Sequence, residues 1–487
     1  MFNDLMGFGK TRSQQLLTGI CLVAIALVFH SYNLDYSSLS LDETFHVWHA
    51  QKPFSDVVEK AANDPNPPIF NVLTSVWVKQ FGVAEWTLRF FSVLMGALSV
   101  LAMYVIGLRN FGFRVGVMAA LLFCFSPMLF RFTHLIRPYT LLMITVILSY
   151  GFLFEYVRSP SKWKLFLYYL TTTLMIYVHP TSIFNLPAHV TIALLGNYNN
   201  LKRVGVILLT IVLAALSFGV YYITIPYFEK EVEMWFAPPN WEDMWYVMNV
   251  FYAKWYVMAI QSALVILLLI PSVRKRWSKH WIHFAMIATW IAFPLSISYI
   301  FSHLFEPVFQ DKYVLSALPG MLLLLAISID VIAPKYWKLI PFVPALLVSA
   351  LWIDLTPHTE GDWRNVVAYI NADKDQETAV FINPWYEFTS FSYYNDPVGF
   401  ANTDSTMKRM VSDKILWAWH DVVSNESTQA NYDRLYLVSA HSGYADLPFN
   451  LDSLHEHSDL ISERKFDGVN VQLFQLNKHK IELEVSN

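Results

Sequence analysis

Charged residues are scarce in this sequence. They make up 15% of the 487 residues, where a soluble globular chain carries about a quarter. That deficit excludes an ordinary soluble protein, whose surface needs more charge than this chain can supply. Cysteine is almost absent: the two present, Cys21 and Cys124, lie in apolar stretches. They read as small buried hydrophobes, so neither a disulfide framework nor a zinc-type CxxC site is available. A formal net charge of −4 excludes the basic surface that would hold nucleic acid. The chain has no glycine-rich phosphate loop, no HExxH pair, no internal repeat and no low-complexity tract. A cleavable signal peptide is not expected. The apolar run after Lys10 and Arg12 is too long for a signal h-region, and no small-x-small site precedes Tyr32-Asn33, so it reads as an uncleaved first span.

What the chain has in abundance is apolar and aromatic residues, 55% hydrophobic and 16% Phe, Trp and Tyr. A helical span needs about 20 apolar residues. Segments of that kind fall near 15–33, 84–107, 113–130, 138–157, 163–179, 181–196, 204–225, 252–271, 281–301, 313–333 and 338–355. The expectation is an α-helical polytopic membrane protein with about eleven transmembrane helices; the pair around His179-Pro180 is short for two spans. Positive charge concentrates on the cytoplasmic side of such a protein. Alternate loops carry Lys10 and Arg12, Arg109 and Arg114, Arg158, Lys162 and Lys164, Lys202 and Arg203, then Arg274, Lys275, Arg276 and Lys279, and Lys335 and Lys338. The opposite loops carry Asp42, Glu43, Asp56, Glu59 and Asp64, then Glu229, Glu231, Glu233, Glu242 and Asp243. The N-terminus is therefore expected in the cytoplasm, with Asp42, Glu43 and the C-terminus outside.

The membrane part is expected over 1–356, with an outward loop over 34–80 that the rest of the chain is organised around. Asp42-Glu43 follows the first span by some ten residues, among Phe45, Trp48 and Phe54. Unpaired charge is costly beside a bilayer, so these carboxylates need a use. Either could accept a proton from an attacking hydroxyl or amine. On a helix over 41–51 they point to different sides, so one is the candidate base and the other orients the acceptor. His46 lies four residues from Asp42, and His49 three further on. His46 could hold a carboxylate or contact substrate, and the two histidines with the carboxylates could take a divalent cation; no other cofactor is implied. Asp64 and Asn66, in the helix-breaking run before Pro67-Pro68, form a second polar cluster, either a turn or an acceptor- or sugar-binding element.

One outward turn breaks the charge rule. Arg131-Phe-Thr-His134-Leu-Ile-Arg137-Pro-Tyr139 places two arginines on the acidic side. They either snorkel at the interface or form an anion site, since a guanidinium grips phosphate with two parallel bonds. His179, at the outward end of a span, and Lys312-Tyr313 are further candidates, against the plain readings of a structural histidine and an interfacial anchor.

Beyond residue 356 the composition changes. Thr356–Arg364 reads as a linker into a helix over 365–372, and the short runs 378–382, 434–439 and 469–475 read as strands. A small soluble α/β domain is expected over 357–487, outside the membrane.

These residues, in this order and topology, resemble the GT-C integral-membrane glycosyltransferases, and within them the branch of protein O-mannosyltransferases and lipid A aminoarabinose transferases. The matching pieces are Leu-Asp42-Glu43, Asp64-x-Asn-Pro67-Pro68, Trp-Thr-Leu-Arg89-Phe-Phe-Ser, Arg137-Pro-Tyr139, Tyr177-Val-His179, Lys312-Tyr313 with Leu-Pro319 after it, and Asp362-Trp363-Arg364. The chain departs from the pattern at Asn66-Pro67-Pro68, where many relatives carry His-Pro-Pro, and at Lys312-Tyr313, where many carry Arg-Tyr. The resemblance implies the GT-C fold and an inverting transfer of a hexosyl or pentosyl group. The donor is a polyprenyl-phosphate sugar, used on the outer face of a membrane, here expected to be a bacterial inner membrane. The acceptor is an envelope lipid, glycan or protein. It implies Asp42 as base with Glu43 beside it, and Arg137, Arg131, Lys312 and Tyr139 around the donor phosphate. It leaves His46, Asp64, Asn66 and His179 for substrate or acceptor. Two rival classes stand beside it. A transporter or flippase of lipid-linked sugars would show inverted repeats and charges near the bilayer midplane, whereas the charges here sit at helix ends. A non-catalytic assembly or sensor protein would do its work through the soluble domain.

Overall fold

A computed structural model of the chain describes residues 11–61, 67–223, 237–267, 281–332, 339–357, 361–400, 403–417, 432–440 and 458–476. Two compact units emerge. One comprises Met1–Leu34, Val58–Leu73 and Arg89–Leu355; the other comprises Asp35–Val57, Thr74–Leu88 and Thr356–Asn487.

The first unit is a helical membrane body. Six helices among the described residues are long and apolar enough to cross a bilayer: Arg12–His30, Glu85–Phe111, Tyr139–Arg158, Leu201–Tyr221, Trp281–Leu304 and Leu315–Ile332. A bent pair, Phe113–Cys124 with Pro127–Thr133 at 57°, makes a seventh if counted as one span. The chain is thus a multi-pass membrane protein, and among the described residues several of the runs expected as spans form shorter or bent helices. The reason is local. Proline at the first position of a helix starts a new one rather than extending the old. Pro127 ends the helix at Cys124, and Pro180 separates Lys162–Val178 from a 3₁₀ turn over Pro180–Asn185 and a short helix over Leu186–Asn197. Trp255–Leu267 and Leu339–Leu351 border residues outside those described.

Many polar groups in this body are paired internally, as a lipid surround favours. Ser149 and Thr172 share a 2.7 Å bond, Tyr150 donates to Asn185 Oδ1 at 3.0 Å, and Trp290 Nε1 donates to the Ser316 carbonyl at 2.9 Å. Tyr150 and Trp290 stack at 4.1 Å. Arg109 pairs with Glu155 at 2.8 Å. Small residues set the closest approach: a Cβ on Gly116 would lie 2.7 Å from the Leu108 nitrogen and 2.8 Å from the Tyr104 carbonyl oxygen. Backbone cannot give way there, and overpacking costs about 1–3 kcal/mol. Gly116→Ala should therefore lower thermal stability in detergent by that amount. Gly205→Ala, where nothing lies within 4 Å, should leave it unchanged. Equal melting temperatures for both variants would contradict the packing.

The second unit combines parts of the first loop with the residues after 356. Its sheet has the strands β1 (Thr378–Asn383), β2 (Ile415–Trp417), β3 (Arg434–Ala440), β4 (Ser458–Phe466) and β5 (Val469–Leu476) in the order β2-β1-β3-β5-β4. β1 pairs in parallel with β2 and β3, and β5 pairs antiparallel with β3 and β4. β1 is buried along its whole length, as expected of a parallel strand covered on both faces. Helix Trp363–Asp373, capped by Asp362, packs its fully buried Trp363, Val366, Val367 and Ile370 inward. The three strands expected from sequence are all present, longer by one residue each; β2 and β4 are additional.

Candidate active site

Asp42 and Glu43 open a ten-residue helix, Leu41–Ala50, whose N-cap is Ser40. Two carboxylates in a first turn suit the positive end of the helix dipole. Their fates differ. Glu43 is fully buried and accepts from the Ser40 N–H at 2.9 Å and the Ser40 hydroxyl at 3.1 Å. It closes a capping box, so its observed work is to start the helix. Asp42 is exposed. The helix buries Glu43, Thr44, Val47 and Trp48 on one side, and Asp42, Phe45 and His49 lie on the other, with Phe45 and His49 rings 4.6 Å apart. The two carboxylates do point to different sides, as their spacing requires.

His46 shares its Nε2 with Thr74 Oγ1 at 2.7 Å. The described residues contain no convergent group of three His, Cys, Asp or Glu side chains, so they supply no ligand set for a divalent cation. Asp64 and Asn66 lie outside the described residues.

The buried face of the Asp42 helix rests on Phe388–Asn395. Thr44 Oγ1 meets Ser390 Oγ at 3.1 Å and Thr389 Oγ1 at 3.3 Å, and Trp48 packs edge-on against Phe388 and Phe400, each 5.4 Å away. The segment before the helix is held by residues that the sequence reading did not select, Glu85 and Tyr394. The Leu39 N–H donates to Tyr394 Oη at 2.7 Å, and Tyr394 donates to Glu85 Oε1. Burial, and then the Glu85 charge, push the Tyr394 phenol above its ordinary pKa, which keeps it a donor. Arg364 Nη2 donates to Glu85 Oε2 at 2.5 Å and to the Asp35 carbonyl at 2.8 Å. A glutamate opening an apolar span and a tyrosine in an aromatic helix carry no local pattern; only the arginine of Asp362-Trp363-Arg364 was visible in advance.

In the membrane unit a second cluster forms. His179 leaves helical conformation (φ −152°, ψ 127°) because Pro180 follows it. Its ring centroid lies 5.9 Å from that of Tyr139 and 5.4 Å from that of Tyr313. Thr181 donates its hydroxyl to the Tyr313 carbonyl at 2.9 Å and meets His179 Nδ1 at 2.9 Å. A hydroxyl has one proton to give. Nδ1 must therefore be the donor to Thr181, and in the neutral ring Nε2 remains an acceptor. Arg137 stands over Tyr139 at 6.0 Å and Lys312 over Tyr313 at 5.3 Å, and the charges of both cations reach His179. The structure thus brings Arg137, Tyr139, His179 and Lys312 together.

Arg131 is engaged otherwise. It pairs with Asp311 at 2.8 Å, and Asp311 also accepts the Lys312 N–H at 2.7 Å. His134 bridges two carbonyls, those of Phe130 and Tyr32, at 2.9 and 2.8 Å. Arg89, almost fully buried, donates to the Leu34 carbonyl at 2.8 Å. The turn that broke the charge rule therefore divides into a fastening part and, at Arg137, a cation beside His179.

Residues 65–222 match the family described as dolichyl-phosphate-mannose-protein mannosyltransferase. No curated protein sequence matches the chain closely. Among solved structures the chain is similar to ArnT from Cupriavidus metallidurans in the apo state, with a TM-score of 0.60 and 14% identity over 93% of this chain and 97% of that one. It is similar to the same protein bound to undecaprenyl phosphate, with a TM-score of 0.56, 14% identity and the same coverage. It is also similar to the apo oligosaccharyltransferase of Archaeoglobus fulgidus, with a TM-score of 0.53 and 10% identity over 88% and 70% of the two chains. The resemblance read from the sequence is borne out: the chain has the GT-C fold.

Proposed function

We propose that this chain, which carries the GT-C fold, is an inverting glycosyltransferase. It takes a hexosyl or pentosyl group from a polyprenyl-phosphate donor and passes it to an envelope lipid, glycan or protein. The observation that carries this reading is the grouping of Arg137 and Lys312 around His179 and its two tyrosines. Two cations beside one acceptor nitrogen suit a phosphate next to sugar hydroxyls. The ArnT structure with undecaprenyl phosphate supports a lipid phosphate as the donor's carrier, and the family match over 65–222 supports sugar transfer.

In this reading the acceptor oxygen or nitrogen bonds to the anomeric carbon as the carbon–oxygen bond to phosphate breaks. The bonding pair leaves on the phosphate, where Arg137 and Lys312 offset the charge. The acceptor's proton goes to Asp42. Phosphate leaves as an anion and needs no acid. His179 Nε2 accepts from a sugar hydroxyl, and His46, Asp64 and Asn66 contact sugar or acceptor. Arg131 supports the phosphate site through Asp311. The loop charges support an outward-facing reaction, with a cytoplasmic N-terminus in a bacterial inner membrane.

The test is release of polyprenyl phosphate. Purified protein in lipid nanodiscs, given labelled polyprenyl-phosphate hexoses and pentoses with membrane extract as acceptor source, should release the lipid phosphate and label an acceptor with inverted anomeric configuration. Transfer from nucleotide sugars instead, or no release from any donor, would refute the reading.

A further inference from the structure

We propose that Glu85, Arg364 and Tyr394 form a positioning network for Asp42, so that the segment from Thr356 onward frames the base rather than selecting the acceptor. This rests on the glycosyltransferase reading. The network starts at Leu39, a fully buried residue three before Asp42. Its N–H has to find an acceptor, and that acceptor is the Tyr394 phenol at 2.7 Å. The phenol in turn gives its proton to Glu85. Glu85, with a side chain only 14% exposed, accepts from Arg364 through its other oxygen. Arg364 then holds the Asp35 carbonyl at 2.8 Å by its guanidinium and the Ser38 hydroxyl at 3.1 Å by its own N–H. Ser38 donates onward to Asp362 Oδ1 at 3.3 Å.

Residues 35, 38 and 39 are thereby fixed at three points immediately before the Ser40 cap. All three fastenings come from two residues after residue 356, Tyr394 through its phenol and Arg364 through its guanidinium and its backbone N–H, with one carboxylate, Glu85, engaging both side chains. The helix that supplies Tyr394 also meets the helix that starts at Leu41, through Ser390 and Thr389 against Thr44. An exposed base on a ten-residue helix has little rigidity of its own. A displacement of about 1 Å from the productive geometry costs about 100-fold in rate, so what holds the start of this helix bears on turnover.

The experiment compares wild type with Tyr394→Phe, Glu85→Gln and Tyr436→Phe. Tyr436 bonds Asp373 at 2.8 Å in the same unit and serves as the control. Amide hydrogen exchange is read over 35–50, and donor KM and kcat are read in the release assay. Tyr394→Phe and Glu85→Gln should speed exchange over 35–50 by about tenfold or more, leave β1 and β3 unchanged, and lower kcat about 10- to 100-fold at unchanged donor KM. Tyr436→Phe should do none of these. Wild-type exchange in the two variants, or faster exchange with full kcat, would overturn the network's role. Absence of release by the wild type would overturn the proposed function and the role in turnover with it, while exchange would still decide whether the network holds the loop.

Discussion

Asp42→Asn is expected to lower turnover by about 10²–10⁴-fold, the usual worth of a positioned base, while donor binding and the folded state persist. Asparagine keeps the size and polarity of the side chain and removes only its capacity to take a proton. The residue is exposed at the start of its helix, so the change is made at the protein surface. The neighbouring carboxylate behaves in the opposite manner. Glu43→Ala removes the acceptor of the Ser40 N–H and hydroxyl and should cost about 0.5–2 kcal/mol of stability through loss of the cap. The two variants together separate chemistry from scaffolding. Side by side in the release assay and a thermal melt, Asp42→Asn should be silent in the melt and inactive in the assay. Glu43→Ala should melt earlier and, because it loosens the start of the Asp42 helix, lose no more than about 10- to 100-fold in kcat. Full turnover by Asp42→Asn would move the base to another carboxylate.

The parts of this architecture that depend on composition and short-range pattern could be read from the chain alone. Apolar runs located the membrane helices, and the buried strands β1, β3 and β5 showed as apolar or alternating runs because each has a buried face. The break of an apolar run into bent pieces could not be read in the same way. A run such as 113–130 is apolar throughout, but Pro127 turns it by 57°, and hydropathy does not see a bend. β4 was missed because its sequence, Ser-Asp-Leu-Ile-Ser-Glu-Arg-Lys-Phe, is largely exposed. Asp467-Gly468, with Gly468 at φ +68°, was the available hairpin signal for it.

In the site, Asp42 and Glu43 were legible as a pair on different sides of one helix, but which of them is buried was not. It depends on which of them faces Phe388–Asn395, a helix more than 300 residues away in sequence. The same holds for Arg131 and Asp311. Their pairing is a long-range fact, 180 residues apart in sequence, that no local pattern announces. Glu85 and Tyr394 had no motif at all, because a hydrogen-bond acceptor for one buried N–H can come from any element that packs close.

Arg137→Ala is the second change expected to have a large effect, a loss of about 10²–10³ in turnover, as for removal of one preorganised donor to a developing anion. Charge accumulates on the phosphate as its bond to the sugar breaks, so a cation fixed beside it acts more strongly in the transition state than in the bound donor. Lysine should restore only part of the loss, since it replaces a planar two-pronged donor with a point charge. Arg131 cannot take over, because Asp311 already engages it at 2.8 Å; Arg131→Ala should cost far less than Arg137→Ala. Lys312, which stands over Tyr313, should cost an intermediate amount. The double variant Arg137→Ala, Lys312→Ala should fall short of the product of the two single losses if both cations serve the same phosphate. The measurement is kcat in the release assay together with binding of polyprenyl phosphate to each variant. Losses that multiply independently would mean that the two cations serve different groups. An Arg131→Ala defect as large as that of Arg137→Ala would return the phosphate to the Asp311 side of the cluster.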